Sequence, residues 1–516
     1  MRKVLKSIGL ICCLIAISVV IFGCTGQKEE VKNELRIALP EDVRGFDPST
    51  SGYTSGIWDI YSLLYDRLVI EDRNKKIVPQ LAKSWEVSDD GLVWTFYLRE
   101  GVEFSNGAKF NADAVKASFE FLKEKSICPV PLTKKIKSIE VVNDYTVKFV
   151  LTRPHAPFLA DLTDMRYPIL VLDNGRPVGT GPYVLKDWVK GKEIVLVKNK
   201  KYWKGIPKID RIVFKIIPDP HTRLLALEAG EVDLITYYGS PNFKEELQRL
   251  QNNPNVTVDA IHNWKVGYHL VFNYKKGPFS DVRVRKAISH AIDAQKVKEN
   301  IVGKYGIVGV AHLSPLSPFA KPGIEGYAYD LEKAKNYLAE AGWKDSNNDG
   351  VLDKDSEPLH VKLVITKDDI AAIAEMIQNQ LQKVGAKVEI QVLERGAQQT
   401  AIEKGNFDLA LFTRQYCSGA DPHLHFRQIY RSGVDERYEY IFKNDKLDNL
   451  IDKLYTVLEP RERVKVYQKI QEILLENAAA VYLFYEDHVT LYNKRLKNFD
   501  PFSGELNTLW QAYLQK

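Results

Sequence analysis

Methionine and cysteine are the scarce residues of this chain: three and five among 516, against 26 tyrosines, 21 phenylalanines and eight tryptophans. So few cysteines exclude a scaffold built on disulfides, which short, cysteine-dense chains need and long ones do not. Charge of one sign is also missing. Basic and acidic residues number 72 and 67, and no basic stripe with interleaved aromatics occurs. That balance supplies no field for a polyanion, so nucleic acid is not an expected partner. Internal repeats and low-complexity blocks are absent. No HExxH, GxSxG or P-loop appears, nor a GxGxxG in a suitable context, which removes the usual sequence grounds for an enzyme.

What is present begins with a leader. "MRKVLKSIGLICCLIAISVVIFGC" has a basic start (Arg2, Lys3, Lys6) and an apolar run from Ile8 to Phe22, short for a membrane span and of signal-peptide proportions. Gly23-Cys24, followed by the polar "TGQKEEVKNE", resembles a lipoprotein cleavage box. It implies cleavage before Cys24 and lipidation of its thiol; the alternative is an uncleaved anchor helix. Either way the remaining chain lies outside the cytoplasmic membrane. Loss of residues 1–23 removes three basic residues and lowers the net charge from +5 to +2. Only Cys128 and Cys417 then remain in the folded part. A chain of this length is expected to form two or three lobes, and its aromatics suit either a core or a binding cleft.

Hydrophobic patterning alternates strands with helices. "ELRIALP" reads as a strand and "GIWDIYSLLYDRLV" as an amphipathic helix. "NADAVKASFEFLKE" reads as a helix with Asn111 or Asp113 as cap, and "SIEVVNDYTVKFVL" as a strand pair turning at Asn143-Asp144. "HTRLLALEAG" and "IAAIAEMIQNQLQKVG" read as helices stopped by Gly230 and Gly385. This alternation predicts an α/β class.

Several of these segments together resemble one family. "LAKSWEVSDDGLVWTFYLREGVEFSNGAKFNADAV", "VGTGPYVLKDW", "KNKKYWKGIPKIDRIVFKIIPDPHTRLLALEAGEVDLI", "PFSDVRVRKAISHAID" and "DLEKAKNYLAEAGW" occur in order. They are similar to segments of the extracytoplasmic solute-binding proteins of dipeptide, oligopeptide and nickel ABC transporters. The resemblance covers residues 33–516. It implies an α/β, two-lobed, periplasmic-binding-protein-like clamshell of type II with an extra subdomain in the first lobe. The expected division is a signal peptide at 1–23, a lipidated tether at 24–33, lobe I at 34–265 and 488–516 with an inserted subdomain at about 73–200, and lobe II at 266–487. The implied partners are an ABC permease, an ATPase and the membrane through the lipid anchor. The implied location is extracytoplasmic, periplasmic or cell-surface, and the implied state a monomer with no intrinsic cofactor.

The resemblance also narrows the ligand. Peptide receptors of this family carry an aspartate three residues after an aromatic in the lobe II loop, where it pairs with the peptide ammonium. Here the aromatic is Tyr416 and the third residue on is Gly419, so a buried ammonium would lack its partner at a cost of several kcal/mol. This points to the nickel-type branch and a transition-metal chelate, nickel first; the alternative is a di- or oligopeptide. Arg166 in "DLTDMRYPIL" matches the arginine that clamps a chelator carboxylate, a task its planar fork suits. Tyr416 matches an aromatic wall, with Arg414 beside it; Tyr53 and Trp58 fall on the opposite wall, and His423 belongs to the "DPH" element. The histidine that some nickel-type members place about eleven residues beyond is Val434 here, so the metal would be coordinated by its chelator or by other side chains. Cys128 and Cys417 border the implied cleft, leaving three possibilities: a disulfide, two soft metal ligands, or two separate thiols.

Other features read as structural. "RQYCSGADPHLHFRQIY" gathers a thiol, a carboxylate and two imidazoles; a hydrolase built on Cys417 with His423 or His425 is the competing class, but spacing alone cannot supply hydrogen-bond reach. Asp421-Pro422-His423 reads mainly as a loop-shaping element, and His425, two residues on, faces the opposite side if the segment is extended. "DSNNDGVLDKDSEP" reads as a polar turn, because the twelfth position of a calcium loop would be Ser356. The remaining histidines, His155 and His312 among them, are dispersed and read as structural or surface.

Overall fold

Regular burial along short apolar segments sorts the chain into two main sheets. The computed structural model describes residues 33–49, 56–125, 132–237, 244–262, 266–366, 371–415, 420–501 and 505–515. Glu34–Leu39, with Leu35, Ile37, Ala38 and Leu39 fully buried, lies inside a seven-stranded sheet. It pairs parallel with Arg211–Ile216 on one side and Leu234–Tyr237 on the other. Strands buried on both faces suit such a position. The sheet continues through His488–Asn493 to Val256–Ile261 at one edge and through Glu193–Lys198 to Tyr183–Val189 at the other.

The second sheet has six strands, in the order Gly306–Val308, Ala480–Glu486, Val266–Phe272, Leu409–Gln415, His360–Thr366 and Lys387–Leu393. All seven residues of Ala480–Glu486 are buried. Helices cover this sheet on both faces, giving two apolar clusters, one around Ile288 and Ile377 and the other around Phe426 and Ile470. The helix stops act as their residue types dictate: Gly230 and Gly385 take φ of 71° and 80°, where a side chain would be strained. At the helix Ala112–Lys125, Asn111 is the cap, its Oδ1 accepting from Ala114 N at 2.9 Å.

A smaller unit is inserted in the first lobe. Ala82–Val87, Val93–Leu98, Thr146–Leu151 and Ile136–Asn143 form an antiparallel sheet against the helix Ala112–Lys125. Phe96, Phe119, Phe149 and Phe158 pack edge-on or tilted in its core. Two short crossings join the lobes. The chain leaves the first sheet at Ile261 and enters the second at Val266, then returns from Glu486 to His488. His262 in one crossing and Asp487 in the other meet, Nδ1 to Oδ1, at 2.9 Å. Among the described residues no helix is long and apolar enough to cross a membrane.

Candidate functional site at the lobe boundary

The inserted subdomain presents a loop, residues 153–167, toward lobe II. Its anchor is Phe158, fully buried among Trp94, Phe96 and Phe149. That anchoring fixes the short helix Phe158–Asp161 and with it the polar residues on either side. Asp161 Oδ2 lies 2.7 Å from His155 Nε2. Lys135 Nζ lies 3.1 Å from the same nitrogen and 3.8 Å from Asp161. Burial pushes His155 down to about 4, so it is neutral near pH 7. Burial alone would raise Asp161, but His423, the His155 hydrogen bond and Lys135 hold it below the usual carboxylate range.

Arg166 closes the same loop. Its Nη2 donates to Asp164 Oδ2 at 2.6 Å and its backbone N to Asp164 Oδ1 at 2.8 Å. Asp164 is buried and the Arg166 side chain 17% exposed, so a buried carboxylate orients a largely buried guanidinium. Asp164 was not singled out in the sequence; the only signal was an acid two residues before the arginine.

Lobe II answers with the segment that follows Leu409–Gln415. Asp421 is gripped by Arg463, Nε to Oδ2 at 2.8 Å and Nη2 to Oδ1 at 3.0 Å, and by the Tyr467 hydroxyl. It also accepts from His423 N at 3.0 Å, which starts the helix His423–Tyr430. Burial opposes ionisation of Asp421, but Arg463 and His423 overcome it and hold the carboxyl well below its ordinary range. The loop-shaping role expected of Asp421 is therefore what its bonds show. The segment beyond it is a helix, and the Asp421 carboxylate meets the backbone N–H of its first residue. His423 and His425 still diverge, since two helical residues lie about 200° apart.

His423 is fully buried and looks across the boundary: Nε2 lies 3.4 Å from Asp161 Oδ1 and Nδ1 lies 3.2 Å from Asp421 Oδ1. His425 turns into lobe II and stacks on His312, whose ring also meets His269 and whose Nδ1 lies 3.1 Å from the Tyr430 hydroxyl. Burial, with His425 and His269 nearby, holds His312 well below the ordinary histidine value. The histidines read as dispersed thus gather in two groups, one at the boundary and one inside lobe II. No spacing in the sequence signals either.

The ligand atoms of His155, Asp161 and His423 lie within 4.8 Å of one another, a separation a metal ion would accept. Lys135, however, already sets a cation beside His155 and Asp161, and the pairs Lys135–Asp161 and Arg463–Asp421 balance their own charges. Within the set His423 Nε2 lies 3.4 Å from Asp161 without making a hydrogen bond. Trp58 lies on Ile57–Leu64 in lobe I, half-buried, edge-on to Tyr61 at 6.2 Å. Tyr53, Cys24, Cys128, Tyr416, Cys417 and Gly419 lie outside the described residues, as does the side chain of Arg414. The "DSNNDG" segment is a polar turn, with Asp345 accepting from the backbone of Asp349 and Gly350 and Asp353 accepting from Ser346.

Two α/β lobes on paired crossings, with oriented charges facing over the boundary, define a clamshell binding protein. The family described as bacterial extracellular solute-binding proteins, family 5 Middle, matches residues 76–435, and the chain belongs to it. The chain is 27% identical over 497 residues to the nickel-binding periplasmic protein of Escherichia coli, covering 92% of this chain and 93% of that one. It is 31% identical over 452 residues to heme-binding protein A of Haemophilus influenzae, covering 80% of each. The solved structure of NikA from Brucella suis in complex with Fe(III)-EDTA matches with a TM-score of 0.84 at 28% identity, over 93% of this chain and 100% of that one. Dipeptide- and oligopeptide-binding proteins match as well. Members of the family are extracytoplasmic binding proteins that work with ABC permease and ATPase subunits.

Proposed function

We propose that this chain is the substrate-binding lipoprotein of an ABC importer and captures a small transition-metal chelate, nickel first, between its lobes. The observation that carries this reading is Arg166, a guanidinium held in place by Asp164 beside the lobe boundary. A planar donor fork of that kind matches the carboxylate edge of a chelate. The relatives named for nickel, heme and Fe(III)-EDTA all take a metal in complexed form or as the ion, which supports the same class. Gly419, standing where a peptide receptor carries an acid, supports it independently. Binding proceeds without turnover, and Cys24 carries the lipid that ties the monomer to the membrane.

The second reading is a di- or oligopeptide receptor, favoured by the peptide-binding relatives. Native mass spectrometry of protein isolated from its own host, with metal analysis, separates the two: a metal with a small chelator supports the first, and a peptide without metal the second. Replacing Cys24 by alanine should release the protein from the membrane fraction; unchanged membrane recovery would remove the lipid anchor.

A further inference from the structure

Four contacts between the inserted subdomain and lobe II fall within one small area. Asp161 and His423 face each other at 3.4 Å. Ala156 N donates to Tyr455 O at 2.9 Å, and Ala420 N donates to Thr163 Oγ1 at 3.1 Å. The rings of His155 and Tyr455 stack with centroids 5.4 Å apart. His155, Asp161, Thr163, Ala420, His423 and Tyr455 are all buried. These contacts join residues 155–163 of the first lobe to residues 420–455 of the second, so they exist only while the lobes are together.

Each carboxylate has charge or hydrogen-bond partners within its own lobe. In lobe I, Asp161 has Lys135 and His155. In lobe II, Asp421 has Arg463 and Tyr467. Across the boundary Lys135 lies over the Tyr455 ring at 5.5 Å, a ring that Arg427 of lobe II also meets at 5.6 Å. Separating the lobes therefore strands no unpaired charge, while joining them sets the His423 ring between two carboxylates, one from each lobe. Buried polar contacts of this kind are directional, and they specify one docked arrangement where an apolar contact would tolerate several. Hinge closure is driven by whatever contacts the closed state alone provides.

We propose that His423 and the His155–Asp161 pair form a latch that docks lobe II on the inserted subdomain, so that the stability of the closed state is set by the protein itself as well as by the captured solute. These are positioning residues: they fix how the lobes meet beside Arg166. The latch rests on capture by closure and not on what is captured.

Hydrogen exchange on the full chain, resolved at single amides by mass spectrometry, tests it without any ligand. The amides of Ala156 and Ala420 bond only across the boundary, so they report docking directly. In the wild type they exchange slowly. In Asp161→Asn and in His423→Ala both exchange about tenfold faster, while amides in the strands Glu34–Leu39 and Ala480–Glu486 are unchanged. The double variant loses no more protection than the worse single one, and His423→Gln restores part of it. Thr163→Val, which keeps the charged residues, speeds Ala420 alone. Unprotected amides in the wild type, additive losses in the double variant, or zinc binding that disappears in His423→Ala would each overturn the latch, the last by making the cluster a metal site. Failure here leaves chelate capture standing, because exchange reads docking and the mass measurement reads cargo.

Discussion

The two faces of the helix His423–Tyr430 carry the same residue type into opposite surroundings. His423 sits among charges, between Asp161 and Asp421, at the boundary between the lobes. His425 sits with His312 and His269 among Tyr430, Tyr482 and Tyr485, inside one lobe. On one face the imidazole organises charge between two bodies. On the other it packs against the rings of His312 and Phe426. A histidine in this fold is thus assigned its role by what packs around it and not by its neighbours in sequence.

Replacing Asp421 by alanine should break the charged face most severely. It leaves Arg463 buried without its carboxylate and is expected to cost about 3–5 kcal/mol in denaturant unfolding. A cost below roughly 1 kcal/mol would mean that the pair is solvated and that the contrast between the faces is false. His312→Ala strikes the apolar face, opening space beside His269 and removing the Tyr430 partner; about 2 kcal/mol of destabilisation is expected, with exchange at Ala156 and Ala420 unaltered. Changed exchange there would show that the two faces are coupled.

Acid titration sharpens the comparison. Burial holds both His155 and His488 at about 4, below the ordinary value of 6.5. The unfolded chain therefore takes up protons first, so stability is complete above pH 6.5 and falls as pH drops from there toward about 4. His488→Gln should flatten that slope in chemical denaturation measured across the window; an unchanged slope would remove His488 from the account. Arg166→Ala is expected to change stability least, because its side chain is partly exposed, yet to abolish recovery of bound ligand. Unaltered ligand content would take Arg166 out of the site.

Much of the architecture was legible because its determinants are local. Asn111 caps its helix, Gly230 and Gly385 end theirs, and the Asn143-Asp144 turn separates two strands that pair directly. The boundary cluster was not legible for the opposite reason. His155 and His423 become neighbours only after two lobes fold and dock, and nothing in "RPHAPFLADL" or "GADPHLHF" encodes the other. Asp421 was visible as a loop-former, but its partners Arg463 and Tyr467 lie on a helix, Pro460–Glu476, whose pattern announces only amphipathicity. Even the helix after Pro422 begins where a carboxylate meets a backbone N–H, and Arg463 holds that carboxylate in place.

Native mass spectrometry with metal analysis, on protein taken from its own host, tests the central claim most directly. The account predicts one transition-metal ion with a small chelator per chain, lost in Arg166→Ala. A bound peptide without metal would contradict it.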